Sequence, residues 1–522
     1  MMKRPIVVMV VLTAAAASVS ARAEGTNGDA QGDEMTSMGL DPAMSLDPTA
    51  PQVGALPGGV TPAFGKKSKG EGDWRFDFHG FLNAPLNMGF NTRPLPLPGQ
   101  EKTVLHAPPV VPDDLETFSH TGVVPTTYAR LNFSQGNGII TANASIVARQ
   151  ATVSTTFLEP SAQQGITDLF VAITPTPYRK VRVQFLVGAF SSRYGTSGEY
   201  DEGRYCTPLI ARINGVGEQA SAKMALGDFT LIAEQGLQGQ GNKASAATIP
   251  DASNDWADPG AGSTFASHLH LGVGFRSVGA LGGHYIRAWS QDDRTGGLAL
   301  DGGMDIAAAD LRLTMGRFGH LYVAFAYTKA ENARSVSRMI SILNTRGGKG
   351  LMDNYLGLLG NGTGSLTTVG GQYDLSIGKL VSYPTPFSGD GPDLFVSLFG
   401  MQTHVSSADC TPCDGSGPRR FDDVTMRKFG IEGTYSLLSW LAVSTRYDQV
   451  TPNVDAAGYS FAVLAPRIIL RSDWMATDQI MLQYAHWFNG SLTTVRTGDP
   501  PRPDVTVIPD TDVLTLSATM WW

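Results

Sequence analysis

Leu514-Thr515-Leu516-Ser517-Ala518-Thr519-Met520-Trp521-Trp522 closes the sequence. Side chains of a β-strand change face at every residue. Leu514, Leu516, Ala518, Met520 and Trp522 therefore share one face, and Thr515, Ser517, Thr519 and Trp521 share the other. One face is apolar and the other largely wettable. Hydrocarbon against one side and water against the other produces this pattern. A strand of a soluble β-sandwich alternates in a similar way, so the rest of the chain must decide between them.

At the opposite end, Lys3 and Arg4 precede an apolar run from Ile6 to Ala17, and Ala21-Arg22-Ala23 supplies a small-x-small site. These features predict a secretory signal peptide over residues 1–23, cut before Glu24. The run is shorter than the roughly 18 apolar residues of a spanning helix, and no later run approaches that length. Composition is 42% hydrophobic and only 16% charged with 60 glycines, which disfavours a bundle of amphipathic helices. A net charge of −8 offers no basic footprint for nucleic acid. With 3 cysteines in 522 residues, a disulfide-stapled scaffold is excluded. Several soluble domains or one large barrel would both suit this length.

Residues 24–73 are rich in Gly, Pro, Asp, Ser and Met without a sustained period, and are expected to form a flexible periplasmic leader. That leader is either a solvated tether or a plug for the barrel mouth. From Trp74 onward, alternating segments of about ten residues recur, the length of a tilted membrane-crossing strand. In Trp74–Phe90, Phe76, Phe78, Leu82, Leu86 and Met88 oppose Asp77, His79, Asn83 and Asn87. In His268–Arg276, Leu269, Leu271, Val273 and Phe275 oppose His268, His270 and Arg276. Counting these segments predicts an all-β chain: one antiparallel transmembrane barrel of about 18 strands (16–18) over residues 74–522. Every second connection is short, as at Gln135-Gly136-Asn137 and Gly227-Asp228, while those between are long, as at 91–122 and 329–365. The rather long Gly378–Pro392 connection is the exception. Short periplasmic turns and long external loops give such an alternation.

On these residues the chain resembles the Gram-negative outer-membrane β-barrels of porin-like type, over residues 74–522 and without a subfamily motif. That resemblance implies an outer-membrane location after export through the periplasm. It also implies contact with outer-membrane lipid, recognition of the terminal aromatic strand by the barrel-insertion machinery, and a homotrimer as one assembly state.

Basic residues assigned to the inner face by alternation are Arg130, Arg149, Arg182, Arg276, Arg287, Arg312, Lys428, Arg446, Arg467 and Arg471. The acidic ones are Asp77, Asp168, Glu234, Asp310, Asp374, Glu432 and Asp448. Placing Arg or Lys on the lipid face at mid-membrane costs about 2–4 kcal/mol, hence the inward assignment. Either the arginines form a basic strip that favours anions, or pairs such as Arg312–Asp310 and Arg446–Asp448 merely stiffen the wall. Loop 191–210 places Glu199, Asp201 and Glu202 between Arg193 and Arg204. In the family it resembles, that composition sits at the pore constriction; a solvated external loop is the alternative. Cys410 and Cys413 are expected to close a local disulfide after export, and Cys206 is left over, free or competing for either.

No metal site or cofactor is expected, because one C-x-x-C pair lacks the further ligands zinc requires. The sequence contains no G-x-S-x-G, H-E-x-x-H or G-x-x-x-x-G-K-[ST] motif, so an enzyme is not expected. The expected function is a channel for passive diffusion of small hydrophilic solutes, with charge selectivity from the inner arginines and the acidic loop. The alternatives are a substrate-specific transporter for apolar molecules and a surface adhesin or structural barrel.

Overall fold

The computed structural model describes residues 75–90, 123–125, 128–137, 139–149, 163–175, 180–195, 209–241, 263–275, 278–291, 302–331, 340–341, 362–381, 392–410, 419–420, 424–451, 454, 460–472, 478–496, 502–507 and 510–521. The expected signal peptide 1–23 and leader 24–73 lie outside them. The wall strands are β1 (Arg75–Phe90), β2 (Tyr128–Gly136), β3 (Ile140–Arg149), β4 (Gln163–Ile173), β5 (Val181–Gly195), β6 (Leu209–Leu226), β7 (Phe229–Gly241), β8 (Ser263–Phe275) and β9 (Gly279–Gln291). They continue with β10 (Gly302–Thr314), β11 (His320–Glu331), β12 (Gly362–Ser376), β13 (Asp393–Cys410), β14 (Val424–Leu438), β15 (Leu441–Thr451), β16 (Phe461–Leu470), β17 (Gln479–Asn489) and β18 (Thr511–Trp521).

The principal sheet has 21 strands; three are the short segments Val123–Pro125, Ile340–Ser341 and Arg419–Arg420, and the remaining eighteen form the wall. Each wall strand pairs antiparallel with the next. The circuit returns to its start, because β1 pairs with β18 from Phe81↔Trp521 to Phe90↔Asp512. At about 4.8 Å between strands and a tilt near 40°, eighteen strands enclose a cylinder roughly 35 Å across at the backbone.

The alternation in sequence becomes two faces in space. Outward positions are large and apolar: Leu271, Ile431 and Leu516 are 56%, 46% and 48% exposed. Inward neighbours on the same strands, such as His270, Glu432 and Thr515, are buried. Pro466 falls at an outward position of β16, where its missing N–H interrupts the ladder to β17 between Leu464↔His486 and Arg467↔Gln483.

Short connections join the strands at one rim and long ones at the other. In the turn between β2 and β3, the Asn137 side chain accepts from the backbone N–H groups of Ile139 and Ile140 at 3.1 and 3.0 Å. An Asx side chain thereby satisfies donors that the tight turn would orphan. The long connection flagged at Gly378–Pro392 begins as a helical turn, Ile377–Leu380. Ser376 caps it by accepting from Lys379 N at 3.0 Å, and Asp393 accepts from Ser376 Oγ at 2.6 Å and Gly378 N at 2.7 Å. The connection between β17 and β18 carries its own hairpin, Ser491–Arg496 paired with Arg502–Val507, which alternation did not predict.

Outward positions should reject charge and inward positions should not. Phe325→Arg, on the outer face of β11, is expected to lose about 2–4 kcal/mol in urea unfolding from lipid vesicles. Thr368→Ser, which keeps the inner hydroxyl contact to Thr403, should change stability by less than about 1 kcal/mol. Equal losses would mean that the two faces are assigned wrongly.

Candidate functional site

Among the described residues, the inner wall gathers most of the buried ionisable side chains into two clusters. The first spans β7 to β10. His270 and His284 stack with ring centroids 4.4 Å apart and planes at 8°. His284 Nε2 lies 2.5 Å from Asp310 Oδ1, and His268 Nε2 lies 3.7 Å from Glu234 Oε1. Arg312 is buried two residues beyond Asp310 on the same face. Two glycines make room for these rings. A Cβ at Gly282 would stand 2.6 Å from Asp310 Oδ1, and one at Gly236 would stand 2.3 Å from His268 Cε1. His268 and His270 share a face in the sequence; only the β8–β9 ladder, with His270↔His284 in register, brings in the third ring.

The second cluster spans β14 to β17. Arg446 donates from Nε and Nη2 to the two carboxylate oxygens of Asp448 at 2.8 and 2.9 Å. Arg467 donates from Nη1 to Glu432 Oε1 at 3.1 Å and from Nε to Gln483 Oε1 at 2.7 Å. Ser444 and Thr434 also donate to Glu432 Oε1, at 3.3 and 3.4 Å. Bidentate and multiply bonded pairs like these hold charge where an isolated ion would be costly. Nearby, Asp374 Oδ1 accepts from Ser397 Oγ at 2.6 Å.

Beside this cluster lies an inner patch that is apolar. Val450, Phe461, Val463, Ala465, Ala485, Trp487 and Val513 form one buried group, with Phe461 and Trp487 stacked at 5.2 Å. Charge bookkeeping along the sequence overlooked it, because these residues alternate with outward apolar ones and make both faces of β16 and β17 look alike. Phase alone, set by Arg467 and Gln483 on the same faces, identifies them as inward.

A third feature is the end of the β5–β6 hairpin. Pairing of β4 with β5 stops at Leu169↔Ala189, and pairing of β6 with β7 stops at Val216↔Gly239. The hairpin itself continues to Gly195↔Leu209, beyond both neighbours. Ile340–Ser341, from the connection between β11 and β12, pairs with Ile213 and Arg212 of this extension. Gln238 Nε2, inward on β7, donates to the Phe190 carbonyl at 3.0 Å, which ties the base of the extension to the inner face. Phe190 and Ile213 are buried there.

Placement of the other predicted residues is uneven. Arg182 is half-buried at an inner position, in register with Lys223. Arg130 and Arg149 have described backbones, in register with Val147 and Tyr128, but their side chains lie outside the described residues, as does that of Asp77. Arg276, Glu199, Asp201, Glu202, Arg204, Cys206 and Cys413 also lie outside, as do the side chains of Arg193 and Cys410. Arg287 requires a correction. His284, Ile286, Ala288 and Ser290 are buried on the inner face of β9, so Arg287 points outward with Tyr285 and is exposed. Both faces of β9 mix polar and apolar residues, and the charge alone had chosen the wrong one. Near a strand end an outward cation reaches the headgroup level and loses little.

No family model matches the chain, and no curated protein matches it in sequence. Among solved structures, the outer membrane channel DcaP of Acinetobacter baumannii is 11% identical, with 88% of this chain and 99% of that chain covered and a TM-score of 0.38. The trimer form of OmpT, an outer membrane protein of Vibrio cholerae, is 10% identical, with 86% and 99% covered and a TM-score of 0.36. The anion-selective porin from Comamonas acidovorans is 9% identical, with 86% and 100% covered and a TM-score of 0.35. Likeness at this level adds no weight of its own; the barrel rests on its strand pairing and on the two faces of its wall.

Proposed function

We propose that the protein is a porin-like channel of the outer membrane through which small hydrophilic solutes diffuse. The observation that carries this proposal is the circuit of eighteen strands with ionisable and hydroxyl side chains on its inner face. About eight strands let side chains fill a barrel, whereas 16–18 enclose more space than the wall can fill. An inner face of paired charges, amides and hydroxyls favours water over hydrocarbon in that space. In the same proposal the short turns face the periplasm and the long loops face outward. Export by the 1–23 signal, insertion through the C-terminal strand and assembly as a homotrimer belong to it as well.

Charge selectivity in this channel would not come from every inner arginine. Arg446 and Arg467 each carry a carboxylate partner, so their fields largely cancel at a distance. Arg182 stands opposite Lys223 on the inner face, which places two basic residues in register there. The β5–β6 extension, with Ile340–Ser341 on its edge, is the element we propose as the constriction. Its position supports that role, since it leaves both wall neighbours and is tied to an inward side chain.

A second reading is favoured by one observation, the inner apolar patch around Phe461 and Trp487. It would offer a path to solutes that carry an apolar face beside a polar group.

Planar-bilayer recording tests the channel directly: discrete ohmic steps are expected, and silence over repeated insertions would end the proposal. In a salt gradient, Arg182→Ser combined with Arg312→Ser should move the reversal potential toward cation preference, while Arg287→Ser should leave it in place. If neither variant moves it, the inner arginines play no part in selectivity. For the second reading, Trp487→Ala should slow vesicle uptake of an aromatic solute more than that of an aliphatic polar solute of equal size. Equal change in both would dismiss the apolar path.

A further inference from the structure

The inner face of β15–β18 is covered along its whole height. Every inward residue from Ala442 to Val450, Phe461 to Ile469, Gln479 to Trp487 and Thr511 to Thr519 is at most 4% exposed. Across the lumen, Arg182, Lys223 and Glu234 on β5–β7 keep part of their surface exposed. A wall that encloses more space than its side chains fill does not bury its own inner face so completely. Among the described elements, only wall neighbours pack closely on these four strands. Arg446, Arg467, Trp487 and Thr515 nevertheless hold interactions beyond those given above. The cover therefore comes from a part of the chain outside the described residues.

Ala442, Ile469 and Met481 form an apolar group at the short-turn end of this face, and the Phe461–Trp487 patch lies at the other. Between them stand the Arg446 and Arg467 networks. Gln483 Nε2, Ser517 Oγ, Thr519 Oγ1 and Thr511 Oγ1 are buried donors without a hydrogen-bond partner. The cover reaches the short-turn rim, where Thr519, Gln479 and Ala442 are as buried as the rest. That rim is where the leader joins the wall, because β1 starts there at Arg75 and pairs with β18 from Phe81↔Trp521. Connections at the long-loop rim start at the far end of the wall, and the one between β17 and β18 carries its own hairpin. We infer that residues 48–65 of the leader lie against the inner face of β15–β18. The segment carries no charge between Asp47 and Lys66, and it brings Leu56, Val60 and Phe64 to the apolar groups. Pro48, Pro51, Pro57 and Pro62 keep it extended and remove N–H groups, leaving carbonyls to accept from the unpartnered donors. Extended at about 3.1 Å per residue, the segment covers roughly 55 Å, more than the apolar band of about 25 Å. The inference rests on the lumen of the channel proposal and narrows that lumen from one side.

Single cysteines report the cover, with Cys206, Cys410 and Cys413 replaced by Ser. In lipid vesicles, a water-soluble maleimide should label Ser517→Cys and Thr519→Cys slowly in the full chain. Deleting residues 48–65 should speed labelling by at least about tenfold, as loss of a protecting contact does. Leu56→Asp with Val60→Asp and Phe64→Asp keeps the length of the leader and should act alike. Added peptide of the 48–65 sequence should slow labelling of the deletion variant again, which separates a lost cover from a damaged barrel. Fast labelling in the full chain overturns the inference. So does labelling that stays slow after the deletion; acceleration only on deletion of 91–122 would then assign the cover to that external connection. In planar bilayers the deletion should raise the height of each conductance step, and equal steps would also overturn the inference. If both proteins are silent while labelling follows the expected pattern, the channel proposal fails and the leader site stands.

Discussion

Unpaired backbone amides and carbonyls are intolerable in hydrocarbon, where no water can satisfy them. A sheet that crosses a bilayer must therefore have no free edge, and the β1–β18 ladder supplies this condition. Ten consecutive residue pairs, from Phe81↔Trp521 to Phe90↔Asp512, join the first wall strand to the last. Every other feature depends on that seam: the fixed sense of inside and outside, the register that brings side chains together, and the width of the enclosed space. The C-terminal strand matters because it completes the circuit as well as because it alternates.

Width sets the next constraint. A cylinder of eighteen strands holds more interior than its own side chains occupy, so the inner face has to be stable beside a space the wall does not fill. The wall meets that demand by bonding its charges laterally. Arg446 with Asp448, and Arg467 with Glu432 and Gln483, form networks along the strands. The histidines stack over positions where glycine removes the Cβ that would obstruct them. Such networks stiffen the wall and lower its net field together. The β5–β6 hairpin runs past the pairing of both its neighbours and is tied at its base to the inner face through Gln238.

The outer face obeys a different balance. Apolar side chains occupy most of its middle, and the described outward cations Arg287, Lys329 and Arg427 stand where a strand approaches the long-loop rim. Arg287 on the outside and Arg312 on the inside show that the cost of a charge depends on height as well as on face. Tyrosines just below Arg287 and Lys329 mark the boundary in the same way that aromatic girdles do in other barrels.

Strand identity, the approximate strand number and the alternation of short and long connections were legible in the sequence, because each follows from period-two patterning and turn residues within one or two segments. Face assignment was legible wherever a strand is unambiguous, as in His268–Phe275, and failed at β9, where Ile286 and Tyr285 make both faces partly apolar. Pairing of Arg446 with Asp448 lay within reach because the two residues are neighbours on one face of one strand. The partners of His284, Glu432 and Ile213 were not legible, because they sit on other strands and depend on register, which a strand's own residues do not encode. The sequence by itself determined what each strand offers to lipid and to the interior; the tertiary structure alone decided which of those offerings meet, since lateral register is set by the closed ring acting on all its strands at once.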